Sequence, residues 1–249
     1  MRPAGPPSLG GVSETAAGPR TDVDVAANLA RVHADIDAAC VAAGRDPGSV
    51  RLLPVSKTHP SAVLEAAYAA GERLFGENRV QEAAEKADRF ADRPDVGWAM
   101  IGHLQTNKAR QVAGFATELH ALDSVKLART LHRALDELGR TLDVFVQVNS
   151  SAEPQKSGLA PDDVEAALVE IAALPTLRVR GLMTLAVNSP DQAAVAACFA
   201  TTAELRDRFA GDLCGGELSM GMSGDFALAI AHGATTVRIG QAVFGAREP

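Results

Sequence analysis

The stretch Leu218-Ser-Met-Gly-Met-Ser-Gly-Asp225, followed after a helical interval by Thr236-Val-Arg-Ile-Gly240, reads as strand, glycine turn, helix, strand, glycine turn. Two hydroxyls (Ser219 and Ser223), several loop N–H groups and Arg238 fall where two neighbouring strands would end. A helix starting at Ser223 would aim unpaired backbone N–H groups and a partial positive charge at one spot, forming an anion site. A glycine-rich turn with a capping serine is the other reading of the same residues. In an eightfold β/α barrel the loops after the last two strands are a common place for a phosphate.

Working outward, the same alternation runs through the chain. Helical spacing of Ala, Leu, Val and Ile over 23–43 stops at Gly44, and a short apolar strand follows at 50–55. Pro54 removes a ladder donor there, so a bulge near the strand end is expected. Strands then fall at 73–75, 97–101, 118–122, 142–148, 179–183, 217–219 and 236–239. Helices are expected at 60–70, 78–90, 106–113, 124–138, 161–174, 190–210 and 224–232. Ser124 and Gly139 bracket one of these, and Pro161 with Asp162 and Asp163 suits the first turn of another. Regular βα alternation implies a parallel sheet with helices outside, and eight units imply a closed barrel. The expected class is therefore α/β, a single-domain (β/α)8 TIM-type barrel over 23–249, preceded by a flexible tail at 1–22. A doubly wound open sheet is the alternative, but no G-x-G-x-x-G follows the first strand.

The composition narrows the function classes. The chain has 249 residues and a formal charge of −7, with no block of like charge, which argues against nucleic-acid binding. No run approaches the ~20 apolar residues of a membrane span. Residues 1–20 lack the continuous apolar segment of a signal peptide, so a cytoplasmic protein is expected. Cys40, Cys198 and Cys214 make no CxxC and read as reduced, buried thiols. The six histidines are dispersed, without metal-ligand spacing.

Side chains just past the barrel strands face the mouth. Those positions hold Ser56 to His59, Glu77 to Arg79, His103 with Gln105 to Asn107, Asp123 and Ser124, Asn149 to Ser151, and Thr184. Lys57 directly follows an apolar run, and partial desolvation at a barrel mouth favours the neutral amine, a nucleophile toward aldehydes. A solvated surface lysine is the plain alternative. Because strands one and eight adjoin in a closed barrel, Lys57 neighbours the anion site. An amine beside a phosphate cradle suits a phosphorylated aldehyde, of which pyridoxal 5′-phosphate is the obvious example. Asn78 could bond a ring hydroxyl or cap its helix. His103 could carry a proton or be structural. Arg238 could meet the phosphate, the pyridine nitrogen or a local acid such as Asp225. Lys156 reads as a solvated charge in a long loop.

Seven ordered motifs then carry a resemblance. They are Leu53-Pro-Val-Ser-Lys-Thr58, Phe75-Gly-Glu-Asn78, Ile101-Gly-His-Leu-Gln-Thr-Asn-Lys108, Val148-Asn149 with Lys156-Ser-Gly-Leu159, Gly181-Leu-Met-Thr184, Leu218-Ser-Met-Gly-Met-Ser223, and Val237-Arg-Ile-Gly240 with Val243-Phe-Gly-Ala-Arg247. In content and order they resemble the YggS/PROSC family of pyridoxal phosphate homeostasis proteins, over roughly residues 24–247. The resemblance implies a fold-type III barrel like the N-terminal domain of alanine racemase. It implies that Lys57 forms the Schiff base with pyridoxal 5′-phosphate, that Ser223, Arg238 and Gly240 are phosphate-side residues, and that Ser219, Met222 and Asn78 line the pocket. Pro54 and Gly224 depart from the family pattern, and the tail is extra.

The leading expectation is a pyridoxal phosphate carrier or homeostasis protein, without catalysis. It would be a monomer whose partners are the cofactor and apo forms of pyridoxal phosphate-dependent enzymes. A racemase is the second reading, set lower because such enzymes take a second base with a C-terminal β-domain that this chain is not expected to have. A Schiff-base aldolase acting on a sugar phosphate shares the lysine and the anion site, and the resemblance argues against it.

Overall fold

The structure, a computed structural model, describes residues 23–245; the expected tail at 1–22 and residues 246–249, Arg247 among them, lie outside the described residues. Eight strands form one sheet: β1 (Arg51–Pro54), β2 (Leu74–Glu77), β3 (Gly97–Met100), β4 (Glu118–Leu122), β5 (Leu142–Val148), β6 (Leu177–Thr184), β7 (Glu217–Ser219) and β8 (Thr236–Ile239). Every pairing is parallel, in the order β1-β8-β7-β6-β5-β4-β3-β2. A single bridge between Val55 and Gly76 joins the two ends, which makes the sheet a barrel. The strands are short and apolar because both faces are covered, by helices outside and by interior side chains within.

The outer layer comprises α1 (Val25–Ala42), α2 (Ser61–Ala69), α3 (Val80–Arg89), α4 (Ala109–Phe115), α5 (Val125–Leu138), α6 (Val164–Ala172), α7 (Gln192–Phe209), α8 (Phe226–Ala231) and α9 (Gln241–Phe244). Local chemistry sets several boundaries. The Ser124 hydroxyl accepts the Leu127 N–H at the start of α5, and Gly139 ends that helix in the left-handed region at φ +63°. In α1 the buried residues Val25, Leu29, Val32, Ile36 and Cys40 recur every three or four positions. Each fully buried aliphatic in such a stripe contributes roughly 1.5–3 kcal/mol. The helix packs against α2, α8 and α9. It therefore covers the β1–β8 flank, where the helix following β8 is only four residues long.

Three expectations change. Pro54 sits in regular register opposite Ile239, with no bulge. The N–H groups of Arg51 and Val55 point to β8, at Thr235 O and Ile239 O, whereas Ser56 N–H points to Gly76 O on β2. Alternation turns the nitrogen of Pro54 to the β2 side, where the seam is one bridge, so its missing donor breaks no ladder. The helix expected to start at Ser223 begins at Phe226, because the Asp225 carboxylate accepts the Met222 N–H at 2.5 Å and holds 222–225 as a turn. The helices expected at 106–113 and 161–174 each open with one 3-10 turn, Thr106–Lys108 and Pro161–Asp163, before α4 and α6. Cys40, Cys198 and Cys214 are buried free thiols. Among the described residues no helix is long and apolar enough to cross a membrane.

Candidate functional site

A cavity of about 770 Å³ opens at the C-terminal mouth of the barrel. One wall carries Lys57, Asn78, Met222, Ser223, Arg238 and Gly240; the other carries His103, Gln147, Lys156, Ser157 and Asn188, with Val55, Ile101 and Leu185 supplying apolar surface. Six of the seven residues expected at the site thus line one space. Ser219 does not: it is fully buried behind Arg238.

Lys57, half buried, is held by its chain neighbours. On its N-terminal side Ser56 is fully buried, and its hydroxyl donates to Glu77 Oε1 at 2.6 Å. Lys86, reaching in from α3, donates to Ser56 O at 2.8 Å, Glu77 Oε1 at 2.6 Å and Glu82 Oε1 at 2.7 Å. On the C-terminal side Thr58 adopts φ +68°, uncommon for a β-branched residue, and its N–H donates to Glu82 Oε1 at 2.5 Å. One buried lysine therefore clamps both sides of the turn that carries Lys57. Burial raises the Glu77 carboxyl above its ordinary range despite the bonds from Lys86 and Ser56. Glu77 Oε2 is buried without a partner.

Asn78 is not a helix cap. The cap position of α3 is Arg79, which makes no side-chain cap bond, and Asn78 faces the cavity. The backbone also passes close here: a side chain on Gly102 would place its Cβ 2.4 Å from Asn78 O. Gly221, at φ +94°, lets the loop after β7 fold tightly enough for Arg238 N–H to reach Gly221 O at 3.0 Å.

Arg238 emerges from within β8 and is 3% exposed. Its Nη1 donates to Ser219 O at 2.6 Å and Ser219 Oγ at 2.8 Å, and its Nη2 to Thr184 O at 2.9 Å. All three acceptors are neutral, and Asp225, the local acid that was one alternative partner, bonds the Met222 N–H instead. Burial lowers the guanidinium to about 10, with attraction from Asp225 opposing it only in part. The result is a desolvated cation on the cavity wall without a carboxylate in hydrogen-bond contact, an arrangement suited to an anionic or acceptor group of a ligand.

Behind Arg238 the polar contacts continue into the barrel. Ser219 Oγ meets His120 Nδ1 at 2.8 Å, His120 Nε2 meets Glu118 Oε2 at 2.7 Å, and Arg51 binds both Glu118 oxygens at 2.6 and 2.9 Å. Burial pushes the Glu118 carboxyl up, but the bonds from His120 and Arg51 outweigh it and hold the group at about 2. A carboxyl depressed in the folded state contributes stability that is present above its unfolded value near 4.5 and is lost as pH falls toward 2. The expected contribution is about 3 kcal/mol at most. Denaturant titrations between neutral pH and about pH 3 should therefore show a loss that Glu118→Gln largely abolishes, and an equally steep loss in that variant would remove the assignment.

On the opposite wall, Asp123 Oδ2 and Ser157 Oγ lie 2.7 and 3.3 Å from His103 Nδ1. Lys156, expected as a solvated charge, is half buried at the cavity, donating to Ala186 O at 2.9 Å and pairing with Glu153. Sequence reasoning missed Lys86 and the His120–Glu118 pair, and it set Glu77 at the mouth, whereas the side chain is fully buried beneath the Lys57 turn. The spacing of Glu82 and Lys86, four apart on one helix, signalled an ion pair but not its burial. Among the described residues no group of three His, Cys, Asp or Glu could hold a metal ion.

Comparison with known proteins gives the family and the fold. The family described as alanine racemase, N-terminal domain, matches residues 28–248. The pyridoxal phosphate homeostasis protein of Pseudomonas aeruginosa is 46% identical over 90% of this chain and 96% of its own. The chain belongs to this family. The Escherichia coli K12 member is 40% identical over 90% of this chain and 97% of its own. Among solved structures, PipY of Synechococcus elongatus with pyridoxal phosphate bound superposes with a TM-score of 0.76 at 40% identity, covering 89% of this chain and all of PipY. Alanine racemase of Clostridium difficile shares the fold alone, with a TM-score of 0.69 at 14% identity over 91% of this chain and 56% of the racemase chain. The fold is thus that of pyridoxal phosphate enzymes, while the close family relatives are named as homeostasis proteins rather than enzymes.

Proposed function

We propose that this protein binds pyridoxal 5′-phosphate at the barrel mouth, holds it as a Schiff base on Lys57, and serves cofactor homeostasis by delivering it to apo-enzymes. The observation that carries the reading is that Lys57 and the desolvated Arg238 cation line the same cavity. The residues present suit the group. Lys57 supplies the amine, and Ser223, Gly240 and Arg238 the phosphate side or the ring nitrogen. Asn78 supplies an amide for a ring hydroxyl, and Met222 with Val55 and Ile101 apolar contact for the ring. Ser219 acts from behind Arg238. When bound, the cofactor supplies an aldehyde that condenses with an amine and releases water. The chain's part is to hold the amine in place through the Lys86 clamp and to keep the Arg238 cation where it meets an acceptor group of the cofactor.

Carriage rather than racemisation is supported by the relatives: the two proteins that match this chain at 46% and 40% identity are both named pyridoxal phosphate homeostasis proteins. We read the protein as a cytoplasmic monomer that is not an enzyme, the location resting on its buried free thiols. Two measurements test this. Loading with pyridoxal phosphate, borohydride reduction and peptide mapping should give one phosphopyridoxyl adduct, on Lys57. The loaded protein should then reactivate an apo-aminotransferase faster than the same amount of cofactor partitioned through solution. Transfer no faster than free exchange would sink the carrier role, and sustained racemisation of an L-amino acid would replace it with the enzyme reading.

A further inference from the structure

The interior of a β/α barrel is ordinarily filled by layers of branched apolar side chains. Here a file of polar ones crosses it: Arg51 and Glu118 at the first residues of β1 and β4, then His120, Ser219 at the end of β7, and Arg238 at the cavity. His120 and Ser219 are fully buried, and the His120 ring packs on Phe145 with centroids 4.3 Å apart.

Each proton in the file has a determined place. The Glu118 carboxylate only accepts, so His120 Nε2 carries the hydrogen between them. Burial lowers the imidazole's proton affinity and keeps the ring neutral, which leaves Nδ1 as an acceptor for the Ser219 hydroxyl. With its hydrogen committed to His120, Ser219 Oγ turns a lone pair to Arg238 Nη1. The two Nη1 hydrogens are thus used by Ser219 and one Nη2 hydrogen by Thr184 O. The Nε hydrogen and the other Nη2 hydrogen take no part in these bonds, and Arg238 lines the cavity.

We infer that His120 and Ser219 are positioning residues for Arg238, fixing the guanidinium in the one orientation that presents its remaining N–H groups to the cofactor, with Glu118 setting the polarity of the file from the far pole. The inference rests on the cavity being the pyridoxal phosphate site. A hydroxyl free to rotate would offer Arg238 either a lone pair or its own hydrogen, and the second arrangement repels the cation. Committing that hydrogen to a neutral imidazole removes the choice.

The test uses the full chain and the variants Ser219→Ala and Glu118→Gln. The readouts are the dissociation constant for pyridoxal phosphate, the pH profile of the bound cofactor's visible absorption, and the thermal unfolding of the apo forms. Ser219→Ala should retain the Lys57 adduct yet weaken binding about tenfold, since a hydrogen bond to a charged group is lost, and should shift the pH midpoint of the absorption change. Glu118→Gln keeps the shape of the side chain and should move both readouts the same way by less. It decides the matter if Ser219→Ala fails to fold. Unchanged affinity and pH profile in the folded variants would overturn the inference and leave the cofactor reading intact. A wild-type protein that takes no adduct at Lys57 would overturn that reading and the inference with it.

Discussion

Lys57→Ala is expected to abolish the visible absorption of the cofactor-loaded protein at its wild-type position and to weaken pyridoxal phosphate binding on the order of a hundredfold, about 2.7 kcal/mol. The substitution removes the amine but leaves the Arg238 side of the cavity, whose guanidinium is fixed by Ser219 and Thr184 rather than by Lys57. Residual binding should therefore be non-covalent, weakened by salt and reduced by competing inorganic phosphate. The fold should not suffer, because the turn at 56–58 is held by backbone contacts from Ser56 and Thr58 to Lys86 and Glu82. Absorbance titration and reductive peptide mapping measure the effect. A variant that kept the wild-type band and affinity would show that another amine of the same cavity, Lys156 first, holds the aldehyde.

What was legible in the sequence was what local chemistry specifies. The α5 boundaries follow from Ser124 and Gly139, β4, β5 and β8 follow from largely apolar segments, and β7 follows from its place before the glycine turn at Gly221. The mouth residues were legible because a parallel barrel sends every strand end to one pole, so Lys57, Asn78, Ser223 and Arg238 could be gathered by position alone. The start of α8 was misjudged because Ser223 and Asp225 are both competent caps two residues apart, and which one takes a backbone N–H is settled by the turn around them. The interior file was not legible at all. His120 and Ser219 stand 99 residues apart, and only barrel closure makes them neighbours. Nor does a lysine in an otherwise charged amphipathic helix announce burial: Lys86 is 5% exposed, while Glu85 and Arg89 on the same helix are not buried.

That buried lysine gives the largest expected effect on stability. Lys86→Met should cost about 3–5 kcal/mol, because it leaves the Glu77 carboxylate fully buried and without its cation. At this chain length that corresponds to a drop in Tm of roughly 10 °C. The deficit should depend on pH in a direction set by Glu77, whose proton affinity burial already raises above its ordinary value near 4.5. The folded state then holds the Glu77 proton more tightly than the unfolded state. Its contribution is fully present below the unfolded value and is lost as pH rises through the folded one. Removing Lys86 strengthens this, so the gap between variant and wild type should narrow as pH is lowered from about 8 to about 5. The double variant Lys86→Met, Glu77→Gln should recover much of the loss, since replacing both members of a buried pair is far less costly than orphaning one. Measured by denaturant titration, a single-variant cost below about 1 kcal/mol, or a double variant equal to the sum of its parts, would show that the pair is not coupled. The clamp on Lys57 would then have to be sought in the Glu82 contact with Thr58 alone.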